Sequence, residues 1–120
     1  MNVAHFTVIH ELLFNNWTSF KIAAMKGHWD FLTNHAHVLL CVAHDPGIRL
    51  RDIAASVGIT ERSAHKILSE LVEGGYVVRE RHGRRNRYEV RPELPLRHPL
   101  VQEQDIGQLL EVLLKSRRDS

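Results

Sequence analysis

Apolar positions fall into distinct periods along the chain, and the periods predict its elements. From Asn34 to His44 the run Asn-His-Ala-His-Val-Leu-Leu-Cys-Val-Ala-His has the apolar density of a helix, which Asp45-Pro46-Gly47 then stops with turn residues. A second, shorter helix is predicted over Leu50 to Val57, where Ile53, Ala54 and Val57 share a face and Gly58 supplies a C-terminal stop. Its start is less tidy: Arg49 stands where Ser or Thr would cap, although Asp52 in the first turn suits the positive end of the helix dipole. Thr60 is a good N-cap for a third helix, in which Ala64, Ile67, Leu68 and Leu71 recur at i, i+3, i+4 and i+7 before Gly74-Gly75. The opposite face carries Arg62, Ser63, His65, Lys66 and Ser69, none of which favours burial.

The period then changes from helical to alternating. Tyr76 to Arg81 and Asn86 to Arg91 read as strands, with Tyr88 and Val90 on one face and Arg87, Glu89 and Arg91 on the other. His82-Gly83-Arg84-Arg85 forms the hairpin tip between them. Pro92, Pro95 and Pro99 make a rigid connector, after which Ile106, Leu109, Leu110 and Leu113 mark a last helix to about Lys115. Val112 and Leu114 widen its apolar stripe, a breadth that suits a partner helix from the N-terminal segment or from a second copy of the chain. The N-terminal segment also reads as helical, with Phe6, Ile9, Leu13, Trp17 and Phe20 at helical spacings. Met25 begins Met-Lys-Gly-His-Trp-Asp, a plausible start of its own, so the residues before it read either as a dimerisation helix or as an upstream extension.

Helix, helix, tight turn, helix and hairpin is the order of a winged helix-turn-helix, an α+β, mainly α fold. Three parts are expected: residues 1–30 as a helical segment for dimerisation or an extension, 31–93 as the winged helix-turn-helix, and 94–120 as connector and C-terminal helix. Size and composition agree. The chain has 120 residues, within the usual length of one domain, and its 43% hydrophobic and 25% charged residues are ordinary for a folded globule. No stretch approaches the ~18 uninterrupted apolar residues of a membrane span. Met1 to Glu11 lack the features of a secretory signal, and the single cysteine, Cys41, excludes an intrachain disulfide, so a reducing cytoplasm is expected and no membrane.

Charge changes the picture more. The net charge is +2, but Arg79 to Arg91 hold six arginines against two glutamates, +4, leaving −2 for the rest. Attraction to nucleic acid depends on where cations cluster, not on their total. The hairpin tip puts Arg84, Arg85 and Arg87 on a narrow projection that can reach backbone phosphates or a narrow minor groove. The start of the third helix presents donors suited to base edges and phosphates in a major groove. The candidate contacts are Thr60, Arg62, Ser63, His65 and Lys66 on the helix, and Arg81, Arg84, Arg85, Asn86 and Arg87 on the hairpin.

Blander readings stand beside these. A charged hairpin is usually just solvated, but this one adjoins a helix-turn-helix pattern. His37, Cys41 and His44 share a helical face and in principle bind zinc or sense oxidation, yet a cysteine inside Leu-Leu-Cys-Val-Ala is ordinarily a small core residue. His65, Lys66 and Ser69 fit no nucleophile, base and orienter set. Trp17, Trp29, Phe20 and Phe31 suit core or dimer packing better than the lining of a ligand pocket. Without a carboxylate cluster, a phosphate loop or a metal-ligand set, no enzyme, cofactor or metal is expected.

From Asn34 to Val90, and most specifically over Ile48-Arg-Leu-Arg-Asp-Ile-Ala-Ala-Ser-Val-Gly-Ile-Thr-Glu-Arg-Ser-Ala-His-Lys-Ile-Leu-Ser-Glu-Leu-Val-Glu-Gly-Gly-Tyr-Val-Val-Arg-Glu-Arg, the chain resembles bacterial MarR-type and ArsR-type regulators. The resemblance implies a third helix in the major groove, a hairpin wing, terminal helices that build a homodimer, and double-stranded DNA as partner, with room for a small-molecule effector. One cysteine cannot supply the cysteine pair of the ArsR-type metal motif. A transcriptional regulator, by default a repressor acting by occlusion, is the resulting expectation. A winged helix that binds another protein instead is the alternative, and the arginine wing argues against it.

Overall fold

The computed structural model describes residues 29–118. Its elements run α1 (Asn34–His44), α2 (Leu50–Val57), α3 (Glu61–Glu73), β1 (Val77–His82), β2 (Arg85–Val90) and α4 (Ile106–Arg118), a winged helix-turn-helix followed by one further helix. The expectations on Phe6 to Phe20 and on Met25 lie outside the described residues.

Local chemistry sets the helix bounds. Thr33 caps α1, its hydroxyl accepting from the Ala36 N–H at 3.3 Å, and the Asp45 carboxylate accepts from the Gly47 N–H at 3.2 Å to close the turn beyond. Arg49 supplies no side-chain cap to α2, as its type requires, and Gly58 ends that helix in the left-handed conformation at φ +86°. Two residues on, Thr60 caps α3 by accepting from the Ser63 N–H at 3.0 Å. At the far end of α3 the Tyr76 N–H reaches back to the Leu71 carbonyl at 2.9 Å, with Gly75 at φ +87° making the turn.

The strands pair antiparallel from Val77↔Val90 to His82↔Arg85, in the register that the sequence expectation implies, with Arg81 opposite Asn86, and the bounds of each strand lie one residue nearer the tip. The tip therefore tightens from four residues to the pair Gly83-Arg84. Gly83 has φ +63° and Arg84 no positive φ, the sign pattern of a type II′ turn, whose twist matches that of paired strands. Strand β2 also docks on the α1–α2 turn, the Tyr88 N–H donating to the Pro46 carbonyl at 2.9 Å.

One core joins these elements. Val38 and Val42 of α1, Ile53 of α2, Leu68 of α3 and Val77 of β1 are almost wholly enclosed, and Tyr88 of β2 closes the sheet side. The proline connector folds back on α4: the Leu96 N–H donates to Gln104, the Ile106 N–H to Leu94 and the Gly107 N–H to Pro92, each at 2.9 Å. Gly107 suits this approach, since a Cβ there would lie 3.0 Å from the Pro92 Cβ. Asp105 and Gln108 cap α4 reciprocally, each side chain accepting from the other's backbone N–H at 2.8 Å. Helix α4 runs to Arg118, beyond the expected Lys115, and sends Ile106 and Leu110 into the core while Val112 faces out. Trp29 and Phe31 do not enter the core; they stack edge to face at 4.8 Å, both exposed. Among the described residues, no helix is long and apolar enough to cross a membrane.

Candidate nucleic-acid interface

Helix α3 is two-sided. Ala64, Ile67, Leu68 and Leu71 are buried against α1 and α2, and that packing leaves Arg62, Ser63, His65 and Lys66 exposed over the first two turns. Ser69, further along, is half-buried. Thr60 stands at the helix start, where its hydroxyl accepts from the Ser63 N–H and donates to the Ser63 Oγ, both at 3.0 Å. Its oxygen is thus committed to holding the helix terminus and orienting Ser63. Glu61, in the first turn, lowers the positive potential at the terminus itself, so the cationic field centres on Arg62 and Lys66.

The hairpin extends from the other end of α3, with Arg81, Arg84, Arg85, Asn86 and Arg87 all exposed. The register puts Arg81 and Asn86 on the face of Val77 and Tyr88, beyond the core, while Arg85 and Arg87 share the outer face with Glu80, which lies directly across from Arg87. Two of the arginines are tied to backbone. The Arg81 Nε–H donates to the Gly83 carbonyl at 3.0 Å, bracing the tip, and the Arg85 guanidinium donates to the Gly47 carbonyl in the α1–α2 turn. Arg84 stands in the turn itself and Arg87 on the open face.

Sequence reasoning did not identify Pro46 and Gly47 as the seat of the hairpin. Asp45-Pro46-Gly47 announces a turn, but nothing local shows that its carbonyls accept from Tyr88 and Arg85, about forty residues on. The other candidate set, His37, Cys41 and His44, does not form a site. Cys41 is buried in the core, where desolvation pushes its thiol up to about 12, and the His37 ring meets Asp30 at 3.6 Å and Asn34 at 3.4 Å. Among the described residues, no three His, Cys, Asp or Glu side chains are grouped to hold a metal ion.

Residues 32–81, from the start of α1 into β1, match the family model of the IclR helix-turn-helix domain, less than half of the 120 residues. No curated protein matches the chain. The match supports a helix-turn-helix DNA-binding domain and does not extend to the MarR-type or ArsR-type subdivision. Together with the hairpin that follows α3, residues 32–81 are similar to the DNA-binding domains of transcriptional regulators, whose partner is double-stranded DNA.

Proposed function

We propose that the protein is a cytoplasmic, sequence-specific DNA-binding repressor and not an enzyme, with α3 in the major groove and the arginines of the hairpin on the backbone or in an adjacent minor groove. One observation carries this reading: Arg62, Ser63, His65 and Lys66 are exposed together on a helix whose other side is core. Side chains on such a helix can read base edges without disturbing the fold. Arg62 and Lys66 are the candidates for base or phosphate contact, Ser63 and His65 for further donors, and Thr60 for holding the helix start. On the hairpin, Arg84, Asn86 and Arg87 are the candidates for DNA contact, while Arg81 braces the tip and Arg85 ties the hairpin to the α1–α2 turn. A homodimer built through the N-terminal segment and α4 would present two copies of α3 to half-sites about 34 Å apart, and occupancy there blocks transcription.

The test is binding of the purified protein to random and genome-selected duplexes across a salt series, with Arg62→Ala and Lys66→Ala beside it. Tight binding that weakens with salt, and recovery of a palindromic site, are expected. Each substitution should cost about 1–3 kcal/mol on the selected site and less on random DNA if it removes a base contact. No binding at low salt would overturn the proposal.

A further inference from the structure

Two histidines stand among the exposed cations of the hairpin and α3. His65 is exposed on the second turn of α3 beside Lys66, and His82 is exposed at the end of β1, flanking the Gly83-Arg84 turn. Among the described residues neither imidazole has a hydrogen-bond or ion-pair partner. Other imidazoles are engaged within the fold: His35 meets Glu70 at 2.7 Å, His37 meets Asp30 at 3.6 Å, and the His98 Nδ1 accepts from the Leu100 N–H at 3.1 Å. The rings of His65 and His82 are therefore open to a ligand, and histidine is the side chain whose charge changes near neutral pH.

We propose that DNA binding by this protein is linked to proton uptake at His65 and His82, so that affinity rises as pH falls from 8 to 6. The inference rests on the DNA-binding reading of α3 and the hairpin, and it adds His82 to that face. The charges around each ring carry it. On α3, Arg62 and Lys66 adjoin His65, with Glu61 one turn before and Ser69 one turn after, while α1 and α2 pack against the opposite side of the helix. Around His82, Arg85 is directly opposite on β2, Glu80 and Arg87 come next along the same face, and Arg84 stands in the turn. The α1–α2 turn, to which Arg85 is tied, carries Asp45 and Arg49. Cations thus outnumber carboxylates at both rings. A duplex lays a dense row of phosphates against this surface, and phosphate beside an imidazole favours the imidazolium. The DNA-bound protein therefore holds more protons than the free one, and by reciprocity protons favour the bound state. As pH rises the imidazolium is lost, and binding falls back on arginine and lysine, which keep their charge through this range.

The experiment is titration of the full chain with a selected and a random duplex at pH 6, 7 and 8 and constant ionic strength. Affinity should rise several-fold per histidine from pH 8 to pH 6, and the slope of log affinity against log salt should steepen by up to about 0.9 for each imidazolium–phosphate contact. His65→Gln with His82→Gln should flatten the pH response, whereas His35→Gln with His98→Gln, away from this face, should keep it. Calorimetry of the native sequence at pH 7 in two buffers of different ionisation heat reads the proton uptake without any variant, and net uptake on binding is expected. Equal affinity at pH 6 and pH 8, no uptake, or a response that persists without His65 and His82 would overturn the linkage and leave the DNA reading standing. Absence of binding at every pH would overturn both.

Discussion

Arg84 and Arg85 are neighbours in sequence with different duties in the structure. Arg84 stands in the tight turn, whereas Arg85 donates to the Gly47 carbonyl and so ties the hairpin to the α1–α2 turn. Their exposure and charge are legible from the run of arginines; the acceptor of Arg85 is not, because it lies 38 residues away and is brought near only when β2 docks. Arg84→Ala should lower the slope of log affinity against log salt by about 0.9, one phosphate contact, and leave stability unchanged. Arg85→Ala should instead cost about 0.5–1 kcal/mol in chemical denaturation, the net worth of one solvent-exposed hydrogen bond. A loss of slope without loss of stability in Arg85→Ala would make Arg85 a phosphate ligand alone.

At the scale of elements, the bounds of α1 and α2 agree with the sequence reading, because turn residues and a C-terminal glycine act within a few residues of where they stand. The strands keep the register that the sequence reading implies and gain the pair His82↔Arg85 at the tip, because the two-residue Gly83-Arg84 turn lets pairing run up to its flanks. Gly58 joins α2 to α3 at φ +86°, with no atom within 4 Å of where a Cβ would lie. The cost of Gly58→Ala is therefore conformational and not steric. We expect a loss of about 1 kcal/mol, seen as a fall of several degrees in thermal unfolding. An unchanged midpoint would mean that the left-handed turn is not required. The helix-turn-helix depends on this joint, since it sets how α3 leaves α2.

The described residues share one core, and Cys41 tests its integrity. Burial holds the folded thiol at about 12 against 9.0 for the free group, so the unfolded chain loses its proton first as pH rises. The associated stability is complete below pH 9 and declines as pH climbs from there toward 12. Unfolding by urea at pH 8 and pH 10.5 should show a larger loss in the native sequence than in Cys41→Ala, which lacks the group; equal losses would mean that Cys41 is not enclosed as described. The same core carries the proposed DNA face, for the exposed residues of α3 are placed by Ala64, Ile67, Leu68 and Leu71 beneath them.

The sequence by itself determined the order of helices and hairpin, the two-sided character of α3 and the concentration of arginine in the wing. Periodicity, caps and charge are properties of neighbours in the chain, and they survive translation into structure with little change. Only the tertiary structure decided the seat of β2 on Pro46, the anchoring of Arg85 on Gly47, and the exposure of Trp29 and Phe31. Each of these joins residues distant in sequence, and which distant surfaces meet depends on how all the elements pack at once.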